Sequence, residues 1–164
     1  MLKRALPLAL LFATLDQATK WVVVRTMALG ESIPVVQNFF DISHVVNPGA
    51  SWGIFAGWRY TLVVFAVVAF VLLAVFHRYV LPSGQPMPGT TLGLLLGGIA
   101  GNLVDRVRLG HVVDFIHVHW HAHSFPVFNV ADMCITFGLA FYIAGQFAVE
   151  RAARRAEQSS NEPG

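Results

Sequence analysis

The sequence predicts an all-α membrane protein built from four transmembrane helices. Of its 164 residues, 55% are hydrophobic and 12% are charged, and mean hydropathy is +0.61. A soluble domain carries about 25% charged residues. Four apolar stretches approach the roughly 20 residues that cross a bilayer. They are continuous rather than alternating, which selects helices over barrel strands. The length suits one domain, expected over 1–156, with 157–164 as a disordered cytoplasmic tail. A net charge of +2, scattered along the chain, argues against a nucleic-acid partner. Cys134 is the single cysteine, so no disulfide forms within the chain, and its apolar setting suggests packing.

The first span is expected over Ala5–Met27. Lys3 and Arg4 followed by apolar residues have the look of a signal peptide. However, Asp16, Gln17 and Lys20 interrupt the run where a cleavage region belongs, so the segment reads as a retained helix that also directs insertion. Ala28–Arg59 is then an outer loop. Within it, Pro34–Val46 is β-branched and aromatic and reads as an extended strand. Gly49–Trp58 places Trp52, Phe55 and Trp58 at roughly helical spacing, which suggests a short segment lying in the membrane interface.

Span two, Tyr60–Phe76, is apolar throughout. Span three, Thr90–Val104, carries Gly93, Gly97 and Gly101 at four-residue intervals, with Gly98 beside them. Small residues at that interval let helix backbones approach closely, which holds Asn102, Asp105 and Arg106 against neighbouring helices. A second outer loop, Val107–Asn129, leads to span four, Val130–Val149. Lys3 and Arg4, Arg78, and Arg151, Arg154 and Arg155 all fall on one side of a four-span chain. The positive-inside rule makes that side, with both termini, cytoplasmic.

The polar residues gather at one depth. Asp16 and Lys20 lie on span one, Asn102, Asp105 and Arg106 close the outer end of span three, and Asn129 and Asp132 open span four. Asp114 lies in the loop between those ends, flanked by Val113 and Phe115. A channel would spread polar groups across the bilayer, so this pattern favours a site. Two carboxylates in a partly dry site cannot both ionise easily, and the pair then supplies an acid and a base. Structural readings stand beside this one. Asn129 suits a helix N-cap, with Asp132 favouring the helix dipole. Asp114 suits a surface loop. Asp16 and Lys20 suit an i,i+4 ion pair. Asn102 and Arg106 suit helix-end carbonyls or lipid headgroups, and Asp105 suits a partnership with Arg106 or Arg108.

His117, His119, His121 and His123 alternate, and imidazole is a common zinc ligand. Alternate residues of one strand surround an ion poorly, and no Cys or Glu accompanies them in register, so neither a functional metal nor a cofactor is expected. No Ser–His–Asp or Cys–His arrangement presents itself at the depth of the aspartates.

Five motifs together are similar to those of the bacterial signal peptidase II family, the lipoprotein signal peptidases. They are Asp16-Gln-Ala-Thr-Lys20, Asn47-Pro-Gly-Ala-Ser-Trp-Gly53, Gly97-Gly-Ile-Ala-Gly-Asn-Leu-Val-Asp-Arg106, Val112-Val-Asp-Phe115 and Phe128-Asn-Val-Ala-Asp132. The resemblance covers most of the chain in the family's order. It departs at Ser51-Trp52, where Ala-Phe is common, and in the histidine run. It implies an aspartic endopeptidase of the inner membrane that removes the signal peptide from diacylglyceryl-modified prolipoproteins, cutting before the lipidated cysteine. It further implies Asp114 and Asp132 as the catalytic pair, with Asp16, Lys20, Asn47, Asn102, Asp105, Arg106 and Asn129 shaping the site or meeting substrate. A small extracytoplasmic sheet and an interfacial helix are implied as cover for the substrate. The expected partners are lipidated prolipoproteins and membrane lipids, met by a monomer.

Overall fold

The computed structural model describes residues 2–49, 55, 57–77, 87–120 and 123–161. In chain order the elements are α1 (Leu2–Thr26), β1 (Ser32–Val36), β2 (Phe40–Asn47), α2 (Arg59–Phe76), α3 (Gly89–Arg108), β3 (Val112–Trp120), β4 (His123–Ser124) and α4 (Val130–Asn161). The four strands form one antiparallel sheet in the order β1-β2-β3-β4. The fold is therefore mixed, which corrects the all-α expectation. The loops between α1 and α2 and between α3 and α4 are rich in β-branched and aromatic residues, and each supplies the backbone partners that the other lacks.

The loop expected to hold one extended strand over Pro34–Val46 folds instead as a hairpin. Residues 37–39 turn the chain, with Asn38 at φ 61°, a left-handed conformation that asparagine tolerates better than most side chains. The Phe39 N–H donates to the Val36 carbonyl at 3.0 Å. The expected interfacial segment lies largely outside the described residues. Four helices lie where the four apolar runs were expected, with shifted ends. Helix α4 continues to Asn161, so residues 157–161 of the expected tail are helical.

Helix α3 is central and packs against α1, α2 and α4. Leu92 and Leu96 are fully buried beside Ala5, Ala9 and Met87. The glycine stripe has a steric cause. A Cβ at Gly97 would stand 2.9 Å from the Ala9 carbonyl of α1, and one at Gly98 would stand 2.5 Å from the Ala131 carbonyl of α4. The bundle's outer surface is the reverse of a soluble protein's. Helix α2 buries none of its residues, yet its mean hydropathy is 2.4, and Val64, Phe65 and Leu72 stand exposed. Among the described residues, α2 and the Val130–Arg155 part of α4 are long and apolar enough to cross a membrane. Helices α1 and α3 carry the buried charges instead.

The end of α3 aims the chain at the sheet. Arg59, the first residue of α2, donates from Nε to the Arg106 carbonyl at 3.0 Å and from Nη2 to the Val107 carbonyl at 2.8 Å. Carbonyls left open by the helix terminus are thereby satisfied. Gly110 then turns the chain at φ 86°, and β3 begins two residues later with Asp114 on it.

Candidate active site

Asp114 and Asp132 arrive from different elements. Asp114 lies on β3 and pairs across the ladder with Val45 of β2. Asp132 lies in the first turn of α4. Two asparagines join them. Asn129 Nδ2 donates to Asp114 Oδ1 at 2.6 Å, and Asn102 Nδ2 donates to Asp132 Oδ1 at 2.7 Å. Asn129 Nδ2 also lies 3.2 Å from Asn102 Oδ1, which closes a chain from one carboxylate to the other. Asn47 adds a donor to Asp114 Oδ2 at 3.1 Å.

Both carboxylates line a cavity of about 580 Å³ whose other walls include Val45, Phe125, Val127, Phe128 and Phe137. Asp114 is 3% exposed. Burial pushes its carboxyl up to about 6, and the neighbouring Asp132 charge acts in the same direction. The Asn47 and Asn129 donors, and the charge of Lys20, act against this. A carboxyl poised there, beside a second one, can hold a proton near neutrality and give it up.

A second polar layer supports the first. The Lys20 ammonium meets Asp16 Oδ2 at 2.8 Å, Asp105 Oδ2 at 2.9 Å and Asn102 Oδ1 at 2.9 Å. Its three protons thus have three acceptors. Asp16, fully buried, accepts from the Ala131 N–H at 2.8 Å, so a residue of α1 helps to cap α4. Asp105 accepts from the Val113 N–H at 3.1 Å, which ties α3 to the strand carrying Asp114. Arg106 Nη2 donates to the Gly49 carbonyl at 3.2 Å, and the Gly49 N–H donates to Asn47 Oδ1 at 3.0 Å. The nine residues named from the sequence as catalytic or site-shaping therefore belong to one connected set of contacts. The i,i+4 pairing of Asp16 and Lys20 holds. Asp105 takes Lys20 rather than Arg106 or Arg108 as its partner.

This geometry restates the chain's resemblances in three dimensions. The family model described as signal peptidase (SPase) II matches residues 8–148. The chain belongs to the signal peptidase II family. A lipoprotein signal peptidase of Syntrophotalea carbinolica is 44% identical over 143 residues, covering 85% of this chain and 88% of that protein. One from Bacillus subtilis is 40% identical over 153 residues, covering 92% and 97%. Two solved structures, each described as a bacterial membrane enzyme determined by the in meso method, share the fold. One, at 2.3 Å resolution, gives a TM-score of 0.73 at 29% identity, covering 96% of this chain and 90% of that one. The other, at 1.9 Å, gives 0.67 at 32% identity, covering 84% and 88%.

Within this signal peptidase II chain, sequence reasoning missed three features. Gln17 donates to Asp105 Oδ1 at 2.8 Å and to the Gly101 carbonyl at 3.1 Å, and so bolts α1 to α3. Its one signal was its place beside Asp16. The spacing of Gly101 predicts general packing, but a Cβ there would stand 2.5 Å from Asp16 Oδ2, so its smallness serves the site directly. The histidines do have a carboxylate companion, Asp41 of β2, which is within 3.1 Å of His119 and 3.7 Å of His117. That companion comes from the neighbouring strand, where spacing along one strand could not reveal it. Cys134 is free and buried and is not among the residues lining the cavity.

Proposed function

We propose that the chain removes the signal peptide from diacylglyceryl-modified prolipoproteins, hydrolysing the bond before the lipidated cysteine with Asp114 and Asp132. The observation that carries this reading is the joining of the two carboxylates through Asn129 and Asn102 at the wall of an apolar cavity. The pair holds one proton between them. The ionised partner takes a proton from water as that water attacks the carbonyl. The protonated partner polarises the carbonyl oxygen and then supplies the proton that the departing amine needs. The asparagines are positioning residues that fix where each oxygen points. The apolar walls suit signal-peptide side chains and acyl chains.

The same reading includes four spans in the inner membrane, both termini in the cytoplasm, the sheet outside and the aspartate pair near the outer leaflet boundary. It is supported by the lipid-suited outer faces of α2 and α4, and by the burial of the charges of α1 and α3 against one another. A lipid-anchored substrate then approaches sideways with its acyl chains still in the leaflet. The test is cleavage by purified protein of a model prolipoprotein with and without its diacylglyceryl group. Cleavage of the lipidated form before the modified cysteine is expected, and failure to cleave it would refute the proposal. Reporter fusions after Arg155 and at Gln37 test the topology, with the first expected inside and the second outside.

A further inference from the structure

We propose that Asp41, His117 and His119 form a binding site for a zinc-class divalent cation on the sheet, separate from the aspartate pair. The site is a product of strand register. Asp41 pairs directly with His117 across the β2–β3 ladder. His119 lies two residues further along β3, on the same face. One ligand atom from each residue can be chosen so that all three lie within 4.8 Å of one another. Asp41 Oδ2 is 3.1 Å from His119 Nε2 and 3.7 Å from His117 Nδ1, and the imidazole centroids are 5.0 Å apart. A tetrahedral zinc with bonds of about 2.0–2.2 Å holds its ligands roughly 3.4 Å apart. Two edges of the triangle are therefore near their final length, and only the two imidazoles must draw together.

The chemistry of the set is selective. Two imidazoles and a carboxylate suit zinc and its neighbours in the first transition row, whereas the absence of thiolate disfavours copper(I). The three side chains are 18–25% exposed, enough to leave a fourth position open to water. The His117 imidazole is also held from behind. His117 Nε2 lies 2.8 Å from Ser124 Oγ of β4. With the hydroxyl accepting the Nε2 proton, Nδ1 keeps its lone pair toward Asp41, the tautomer a metal requires.

The position separates this site from hydrolysis. Val45 and Asp114 are the ladder partners at the catalytic end, and Asp41 and His117 are the partners at this end. The separation is three residues along β3, on the order of 10 Å. A bound ion would clamp β2 to β3, and through His117 would steady the two-residue strand β4. Its expected consequence is a more stable sheet, with turnover unchanged. The competing account is an ordinary hydrogen-bonded surface cluster.

The experiment is calorimetric titration of the tag-free full-length protein in detergent with zinc chloride, beside thermal unfolding. One ion per chain is expected at micromolar affinity or tighter, with proton release and a melting temperature that rises with zinc. His119→Gln and Asp41→Asn should each weaken binding by about tenfold or more, the scale on which even outer-shell losses act. Both should also abolish the thermal gain, whereas His111→Gln should change neither. Retained peptide cleavage by His119→Gln and Asp41→Asn would show that both variants fold. Cobalt(II) in place of zinc should give visible absorption that is lost in the same two variants. Absence of saturable zinc binding, or binding that survives both substitutions, would overturn the site.

Discussion

Asn129 and Asp132 bind each other twice. The Asp132 N–H donates to Asn129 Oδ1 at 3.0 Å, and the Asn129 N–H donates to Asp132 Oδ2 at 3.2 Å. This reciprocal pairing is a capping box at the start of α4. The sequence posed capping and catalysis as rival accounts of Asp132, but the side chain has two oxygens and uses them differently. Oδ2 closes the cap, while Oδ1 takes the Asn102 amide beside the cavity. The helix start thereby sets the orientation of the proposed catalytic group.

We predict that Asn129→Ala harms turnover more than it harms folding. Loss of an N-cap costs about 1 kcal/mol. The same change removes the 2.6 Å donor from Asp114 and breaks the link between the carboxylates. Peptide cleavage should fall well over tenfold while detergent unfolding shifts by only a few degrees, a cap-sized loss. Equal, small effects on both would reduce Asn129 to a cap alone.

Asp114 makes pH a probe of the pair. Its carboxyl sits at about 6, raised from 3.8 first by burial and then by Asp132. Between those values the folded chain keeps a proton that the unfolded chain has lost. Stability from this group is therefore full below about pH 4 and declines as pH rises through about 6, by on the order of 3 kcal/mol. The alkaline limb of kcat/KM should fall in the same region, because it reports the free enzyme. Asn47 donates to the ionised carboxylate, so Asn47→Ala should move that limb to higher pH. A limb that stays put, or moves to lower pH, would contradict the proposed shared proton.

Lys20 tests the supporting layer. Lys20→Ala leaves Asp16 and Asp105 facing each other in a site where both are buried. Removing one member of a buried ion pair costs about 3–5 kcal/mol. We predict a large fall in detergent thermostability, with lost turnover following from misplacement of Asn102 and α4. Full stability in the variant would mean that the two acids find other compensation.

What was legible in the sequence was the cost of placing charge in apolar surroundings. Asp114, Asp132, Lys20 and Asn102 could be read because each needs a partner, and the structure supplies it. The four helices were legible as apolar runs, of which α2 and α4 are long and apolar enough to cross a membrane. The sheet was only half legible. The β-branched run around Val35 signalled extension, but the turn at Asn38 depends on a backbone angle that composition does not report. The pairing of Asp41 with His117 depends on register, which includes an irregularity between Ile42 and Val45. The role of Gln17 depends on how α1 faces α3, a tertiary fact with no local signature.

The aspartates themselves give the sharpest test. Asparagine keeps the shape of aspartate but cannot cycle its proton. It also keeps an acceptor oxygen for the Asn129 N–H at position 132, so the start of α4 should survive. We predict that Asp114→Asn and Asp132→Asn each abolish cleavage of a diacylglyceryl-modified peptide while binding and folding stay near normal. Asp114→Asn should be the more stable of the two, because it removes a carboxylate that burial already disfavours at neutral pH. The double variant should lose little beyond either single one, since groups that act as a unit are non-additive. Single-turnover cleavage by the four proteins, with binding measured in parallel, decides the matter. A purely capping Asp132 requires Asp132→Asn to stay active. Substantial turnover by either single variant would exclude the shared-proton mechanism, because among the described residues lining the cavity no other acid or base could replace the missing one.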